Sequence, residues 1–424
     1  MNIIELGQTI LDSYNKSELS AKRNIPIYLA QCFYPHHFGS DNFLTNVNHV
    51  SEMWKFADSM QEFRTGYYCS TVMKCFSEAE LSLIKKISLD YGNLIKMFNR
   101  KTIPIGINHQ LSSIPSLRIL KQLKDKLGES PSVFEVGGGS GMLGHMCHGL
   151  GYRYTGFDNT QSFYTFTSTM YKKMYGDKFY DTHNSTISDV NKNPKYREHP
   201  ITMIPWWNFV NTDFSLPKFN VVIMNHCFFE ISKKAMAFIL TRLSYENKGR
   251  TYLIVSGWGS GNRTQLEKSF LLWLEKEFDF RKEEFCGDPL INPDGTVLLS
   301  FQKKSVDDFR SVPVEKRLNM KTNKTFNFKK VSNYIPTNLR PFVQFVKNSY
   351  RKLKKIFNIF LAKQKPTILG VRKPNLIKSE INLLEYNLNF SNIIKLIKEI
   401  ESDLGKPSYT EDELLGFYID RNDH

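Results

Sequence analysis

Glu135 stands two residues before Gly137 in FEVGGGSGMLG, residues 134–144, and Asp158 closes the next apolar run, YRYTGFD. A glycine-rich turn lets a ligand approach the backbone closely. A carboxylate at the end of the following strand can accept hydrogen bonds from two ribose hydroxyls. Further along, NHCFFE at 225–230 places Asn225, His226 and Glu230 where a later strand should end. His226 ionises near neutral pH, and Glu230 could take a proton directly or orient the imidazole. Such a pair serves general-base chemistry, worth about 10²–10⁴ in rate. Asn225 is suited to positioning rather than reacting.

The glycine stretch can be read in two registers. From Gly139 it spells G-S-G-M-L-G, a literal G-x-G-x-x-G that would set a dinucleotide pyrophosphate on a helix N-terminus. From Glu135 it spells E-V-G-G-G-S-G, the acid-x-G-x-G-x-G loop of S-adenosylmethionine-dependent methyltransferases. S-adenosyl-L-methionine carries no phosphate; it needs close backbone contact and a carboxylate for its ammonium group. An ionised Glu in a buried strand is costly unless something pairs with it, and a ligand can be that partner. A dinucleotide loop has no need of Glu135, so the acid favours the methyl donor, while Asp158 would serve either cofactor. Ordinary structural roles stand beside each assignment. Glu135 could pair with a neighbouring backbone or basic group, His226 could cap a helix, and Glu230 could be a first-turn acid favoured by the helix dipole.

The elements that must position these residues are readable from pattern. Residues 1 to about 104 read as helices, with Ser77 and Glu80 forming a capping-box pattern before ELSLIKKISLDYGNLI. From about 105 to 303 strands alternate with helices. SVFEVGG, YRYTGFD, ITMIPWW, FNVVIMNHC, RTYLIVSGW and GTVLLSFQ are the strand candidates; SIPSLRILKQLKDKLG, GMLGHMCHGLG and RTQLEKSFLLWLEKEF are the helices. Near-continuous apolar strands in alternation with helices imply a parallel sheet covered on both faces. Residues 304–424 form a connector followed by helices, among them SNIIKLIKEIESDLG.

With those motifs placed, the chain resembles a class I methyltransferase, and more narrowly the sugar O-methyltransferases of bacterial surface-polysaccharide gene clusters. VFEVGGGSGMLG with YTGFDNTQSFY, the tryptophans of IPWW, and FNVVIMNHCFFEIS carry the likeness, over about residues 105–262. It implies an α/β, Rossmann-like class I methyltransferase sheet with a helical N-terminal region and a basic, mainly helical C-terminal extension. By the same resemblance Glu135, Gly137, Gly139 and Gly141 would line the methionine and ribose part of the cofactor. Asp158 would hold the ribose, Trp206 or Trp207 would lie against the adenine, and Asn225 would join the cofactor site. Where the family's fourth-strand motif has a serine, this chain has Cys227 or Phe228, which puts a hydroxyl's role there in doubt. The implied acceptor is a hydroxyl of a sugar, nucleotide-sugar or glycan, with His226 and Glu230 as catalytic candidates. The fourth strand lacks the Asp/Asn-Pro-Pro-aromatic ending of amino-methylating nucleic-acid enzymes, and no Pro-Cys pair occurs.

Composition bounds the rest. The 424 residues suggest two or three domains, and 41% apolar content supports a true core. Six cysteines without a C-x-x-C pair argue against a zinc ribbon or disulfide scaffold and fit a reducing cytoplasm. Neither a signal peptide nor a membrane-spanning run is expected, and no metal-ligand spacing is present. Of the net charge of +15, fourteen Lys and Arg with no Asp or Glu fall between Lys321 and Lys373, leaving the remainder close to neutral. Residues 341–365 put apolar side chains on one helical face with basic ones largely elsewhere, a pattern suited to the surface of an anionic membrane or to an acidic glycan. RNA is the lesser alternative partner, and an RNA methyltransferase or an NAD-linked oxidoreductase are the alternative functions. The expected location is cytoplasmic, with peripheral contact at the inner membrane face.

Overall fold

The apolar run before the glycines forms β1 (Ser132–Val136), all five residues buried. The glycine turn then leads into α4 (Met142–Gly149) and β2 (Arg153–Asp158). In this computed structural model, residues 2–25, 46–52, 77–96, 107–185, 196, 198–211, 213–225, 227, 231, 233–246, 250–256, 272, 274, 280–283, 297–302 and 395–406 are described. All of them belong to one unit. The catalytic candidates His226 and Glu230, the helix expected around 263–278 apart from Leu272 and Leu274, and the basic stretch 321–373 lie outside the described residues.

Eight strands form one sheet in the order β3-β4-β2-β1-β5-β6-β8-β7. Besides β1 and β2 these are β3 (Phe179–Asp181), β4 (Ile201–Pro205), β5 (Val221–Asn225), β6 (Arg250–Ser256), β7 (Arg281–Lys282) and β8 (Val297–Gln302). Every pairing is parallel except those of β8, which runs against both β6 and β7. The reversed strand next to one edge and the doubly wound order on either side of β1 make this the class I methyltransferase sheet. The winding direction changes between β1 and β5. That is the switch point at which open α/β sheets hold ligands beyond the strand C-termini.

Helices cover both faces. Before the sheet come α1 (Ile3–Asn24), α2 (Glu78–Ile95) and α3 (Ile107–Leu127). The Ser77–Glu80 capping box is formed at the start of α2. Between β2 and β3 lies α5 (Gln161–Tyr175), whose residues Gln161 to Tyr171 are all buried. The tryptophans of IPWW do not extend their strand. β4 stops at Pro205, and Trp206–Val210 form the short helix α6. α7 (Lys233–Glu246) follows β5. A last helix over 395–404 packs beside α2, where Lys85 pairs with Glu399 at 3.1 Å. Among the described residues no helix is long and apolar enough to cross a membrane.

α1 docks on α5 and α6 rather than standing apart. Gln161 Nε2 donates to Asn15 Oδ1 at 2.5 Å, and Ser13 and Ser17 both donate to Asn184 Oδ1, at 2.7 and 3.0 Å. On the opposite side, the fully buried Arg242 of α7 donates to the carbonyls of Phe214 and Asn211 and pairs with Glu246 at 2.7 Å. Its guanidinium thereby closes the connection between α6 and β5. Arg242→Met should cost about 2–4 kcal/mol, because it leaves buried carbonyls and a carboxylate without their donor; urea unfolding of the two proteins measures it.

Candidate functional site

The glycine loop is bent by three left-handed residues, Gly137 (φ 74°), Gly139 (φ 52°) and Gly141 (φ 75°). These are the three glycines of the acid-x-G-x-G-x-G register. A side chain is strained in that backbone region. Gly144, the third glycine of the other register, lies inside α4, and its need is one of space. A Cβ there would collide with the Tyr171 hydroxyl and come within 2.7 Å of Tyr154 Cε1.

The loop is tied down from below at nearly every step. Gly137 N donates to Phe157 O at 2.8 Å, and Gly139 N donates to Asp158 Oδ2 at 3.1 Å. Thr167 Oγ1 donates to Gly139 O at 2.8 Å and the Tyr171 hydroxyl to Gly141 O at 2.6 Å. From the other side Cys227 donates its thiol to Val136 O at 3.0 Å, and a Cβ on Gly137 would lie 2.8 Å from the Cys227 Cβ. Cys227, one of the two residues that stand where the resembled family has a serine, therefore packs the root of the loop.

Glu135 lies beneath this loop. It is 3% exposed and accepts a hydrogen bond from the Tyr154 hydroxyl. In the strand register Glu135 faces Gly156, and the missing side chain there leaves the path along which Tyr154 reaches it. A Cβ on Gly156 would meet the Tyr154 hydroxyl at 2.9 Å. Burial raises the Glu135 carboxyl to about 8; the Tyr154 hydrogen bond opposes the rise and the Asp158 charge adds to it. At neutral pH this rise favours the protonated form of the acid.

Asp158, 4% exposed, receives Gly139 N on one oxygen and Thr160 N on the other at 2.8 Å. These two bonds orient the carboxylate. Next to it in the sheet Asp158 pairs with Pro205, and the tryptophans follow. Trp206 is 2% exposed, with its indole N–H donated to Glu18 of α1 at 2.9 Å. Trp207 packs edge-on against Tyr14 of α1, ring centroids 4.7 Å apart. The Tyr14 hydroxyl is buried without a hydrogen-bond partner. Burial, with the charges of Glu18, Asp158 and Asp181, holds its phenol far above the usual range. The N-terminal helix therefore walls the side of the site on which Trp206 and Trp207 lie.

Asn225 ends β5, across the switch point from the loop. Its Oδ1 accepts the hydroxyls of Ser116 (α3) at 2.9 Å and Ser256 (β6) at 2.6 Å, while its Nδ2 is buried and unpaired. The structure thus brings Glu135, Gly137, Gly139, Gly141, Asp158, Trp206 and Asn225 to the C-terminal edge of adjacent strands. Tyr14, Glu18, Ser116, Tyr154 and Ser256 escape the sequence reading, since their roles are set by contacts between distant segments.

Other histidines take structural positions. His145 is buried with its Nδ1 2.6 Å from the Tyr175 hydroxyl, and burial followed by the His148 charge lowers its pKa to about 3. His183 Nδ1 lies 2.7 Å from Asp181 Oδ1, and its Nε2 lies 3.1 Å from Ser13 Oγ. Burial works to raise the Asp181 carboxyl, but the charge and bonds of His183, with the Tyr164 hydroxyl, leave it below its usual value. Among the described residues no group of three or more His, Cys, Asp or Glu could hold a metal ion.

No protein-family model matches the chain, and no curated protein does. Solved structures overlap part of it. Magnesium protoporphyrin IX methyltransferase (ChlM) from Synechocystis PCC 6803 with bound SAM shares 11% identity over 47% of this chain and 82% of that one, with a TM-score of 0.28. The bifunctional kinase-methyltransferase WbdD shares 12% over 45% of this chain and 38% of its own, with a TM-score of 0.27. The 16S rRNA methyltransferase RmtF in complex with S-adenosyl-L-homocysteine shares 10% over 53% and 76%, with a TM-score of 0.30.

Two outcomes follow from the loop's floor. A carboxyl raised from 4.5 to about 8 on folding makes the native state hold a proton the unfolded chain has lost. Its contribution is therefore full below about pH 4.5 and is lost as pH rises through about 8. Denaturant titrations from pH 5 to 9 should show the stability advantage of wild type over Glu135→Gln shrinking, or reversing, as pH rises. Gly144→Ala should lower the melting temperature, because its Cβ would meet both the Tyr171 hydroxyl and the Tyr154 ring.

Proposed function

We propose that the chain is an S-adenosyl-L-methionine-dependent O-methyltransferase that methylates a hydroxyl of a sugar or surface glycan. The observation that carries the cofactor reading is the coincidence of the three left-handed glycines with the acid-x-G-x-G-x-G register, at the switch point and bonded to Asp158. The residues present fit that cofactor. A Cβ-free loop provides backbone access, an oriented carboxylate stands ready for ribose hydroxyls, and the unpaired amide of Asn225 awaits an acceptor. When bound, the cofactor would supply a methyl group on a sulfonium: the acceptor oxygen bonds to the methyl carbon in line as the carbon–sulfur bond breaks and S-adenosylhomocysteine leaves.

The chain's own residues then have separable tasks. Asp158 holds the ribose, and its two backbone donors keep it aimed. Trp206, fixed by Glu18, bounds the adenine side together with the rest of the α1 wall. Glu135 and Tyr154 support the loop at its methionine end, where a cationic group would favour the charged carboxylate. Alignment of acceptor and methyl supplies much of the rate, and His226 or Glu230 takes the hydroxyl proton. The sugar acceptor rests on the likeness of IPWW and NHCFFE to the polysaccharide-cluster enzymes, and contact of 341–365 with an anionic membrane belongs to the same proposal.

Calorimetric titration with S-adenosylmethionine, S-adenosylhomocysteine and NAD tests the cofactor. Wild type should bind the first two at micromolar concentration, with Asp158→Ala weakening both at least tenfold. Binding of NAD alone would return the loop to its dinucleotide register.

A further inference from the structure

The interior around Asn225 determines which way its amide faces. Ser116 and Ser256 are both fully buried, and their hydroxyls converge on the one Asn225 oxygen. A carbonyl oxygen has two lone pairs, so both are occupied. Turning the amide over would replace the acceptor of both buried hydroxyl hydrogens by an N–H₂ group, which cannot accept. The arrangement present instead leaves only the amide N–H₂ unmatched, in a buried position at the end of β5.

We propose that Ser116 and Ser256 lock Asn225 as a one-way hydrogen-bond donor, so that the ligand atom it meets is an oxygen with free lone pairs and not an N–H group. An amine awaiting methylation presents hydrogens and needs an acceptor beside it. A hydroxyl oxygen or a carboxylate presents lone pairs and is served by a donor. The lock therefore selects oxygen chemistry at this position. It rests on the methyltransferase reading above and deepens it, because it names the chemistry of the atom that Asn225 meets. Two oxygens could fill the role: the carboxylate of the cofactor's amino-acid end and the hydroxyl of the acceptor.

Asn225→Asp is the informative substitution. One carboxylate oxygen keeps both serine bonds, and the other replaces the donor by an acceptor of nearly the same shape. Wild type and variant are titrated with S-adenosylhomocysteine and with 5′-methylthioadenosine, which lacks the amino-acid end. Transfer of tritiated methyl to a panel of uridine- and guanosine-diphosphate sugars is measured in parallel. A loss of roughly tenfold or more for S-adenosylhomocysteine, with methylthioadenosine unchanged, identifies the carboxylate as partner, as expected for a lost charge-assisted bond. Unchanged binding with transfer to a sugar hydroxyl reduced at least tenfold identifies the acceptor oxygen. Unchanged binding and unchanged transfer overturn the proposal, as does label recovered on nitrogen. If no sugar of the panel is methylated, the titration alone decides, and equal affinity overturns it. Should Asn225→Asp fail to fold, the Ser116→Ala/Ser256→Ala double variant, whose amide is free to turn, must show a weaker version of the same loss. Failure of wild type to bind S-adenosylhomocysteine would instead strike the methyltransferase reading itself.

Discussion

The site depends on how closely the glycine loop lies on what is underneath it. Tyr171, Thr167 and Cys227 bond to the loop's backbone and Tyr154 to the Glu135 side chain beneath it, and a Cβ at Gly137, Gly141 or Gly144 would collide with one or more of the four. Gly156 extends the same requirement into β2, where the empty position opposite Glu135 admits the Tyr154 ring. Packed interiors transmit rather than absorb such restrictions. The left-handed backbone, the tyrosine pair and the buried acid thus form one unit, with the ligand-facing surface of the loop as its upper side.

The second shared constraint is that donors and acceptors come in matched sets at the strand ends. Asp158 is aimed by two backbone N–H groups, Trp206 by Glu18, and Asn225 by two serines. In each case the orienting group comes from a different element from the residue it orients, or from the loop on its far side. Rigid placement of this kind is what in-line group transfer requires, since small misalignments of reacting atoms are costly in rate. It also explains why α1 belongs to the site: it supplies Glu18 and Tyr14 and is itself fastened through Ser13, Asn15 and Ser17.

What the sequence made readable divides along physical lines. β1, β2, β5, β6 and β8 announce themselves as apolar runs bounded by glycine, acid or polar residues, and the Ser77 capping box is formed where its spacing places it. α5 gives no such sign. QSFYTFTSTMYKKMY is rich in weak helix formers, and eleven successive residues are buried, so no polar stripe marks a helical period. β3 and β7 are too short to produce a pattern, and the tryptophan pair reads as strand because its apolar run continues past Pro205. In the site, Glu135, Asp158 and the glycines were legible because their roles are local to one motif. Ser116 and Ser256 were not, because a serine acquires its role here only by meeting Asn225 from 109 and 31 residues away.

The bond between Glu18 and Trp206 spans 188 residues of chain. Translation at about 5–20 residues per second separates the appearance of these two side chains by roughly ten to forty seconds. Through that interval α1 has been made but its α5 and α6 partners are still emerging, and its apolar face, with Ile3, Ile10, Leu11 and Tyr14, lacks the helices that cover it. The nascent chain thus carries an exposed amphipathic helix for as long as the ribosome takes to reach the end of β4. A chaperone that holds such helices would find its binding segment in α1.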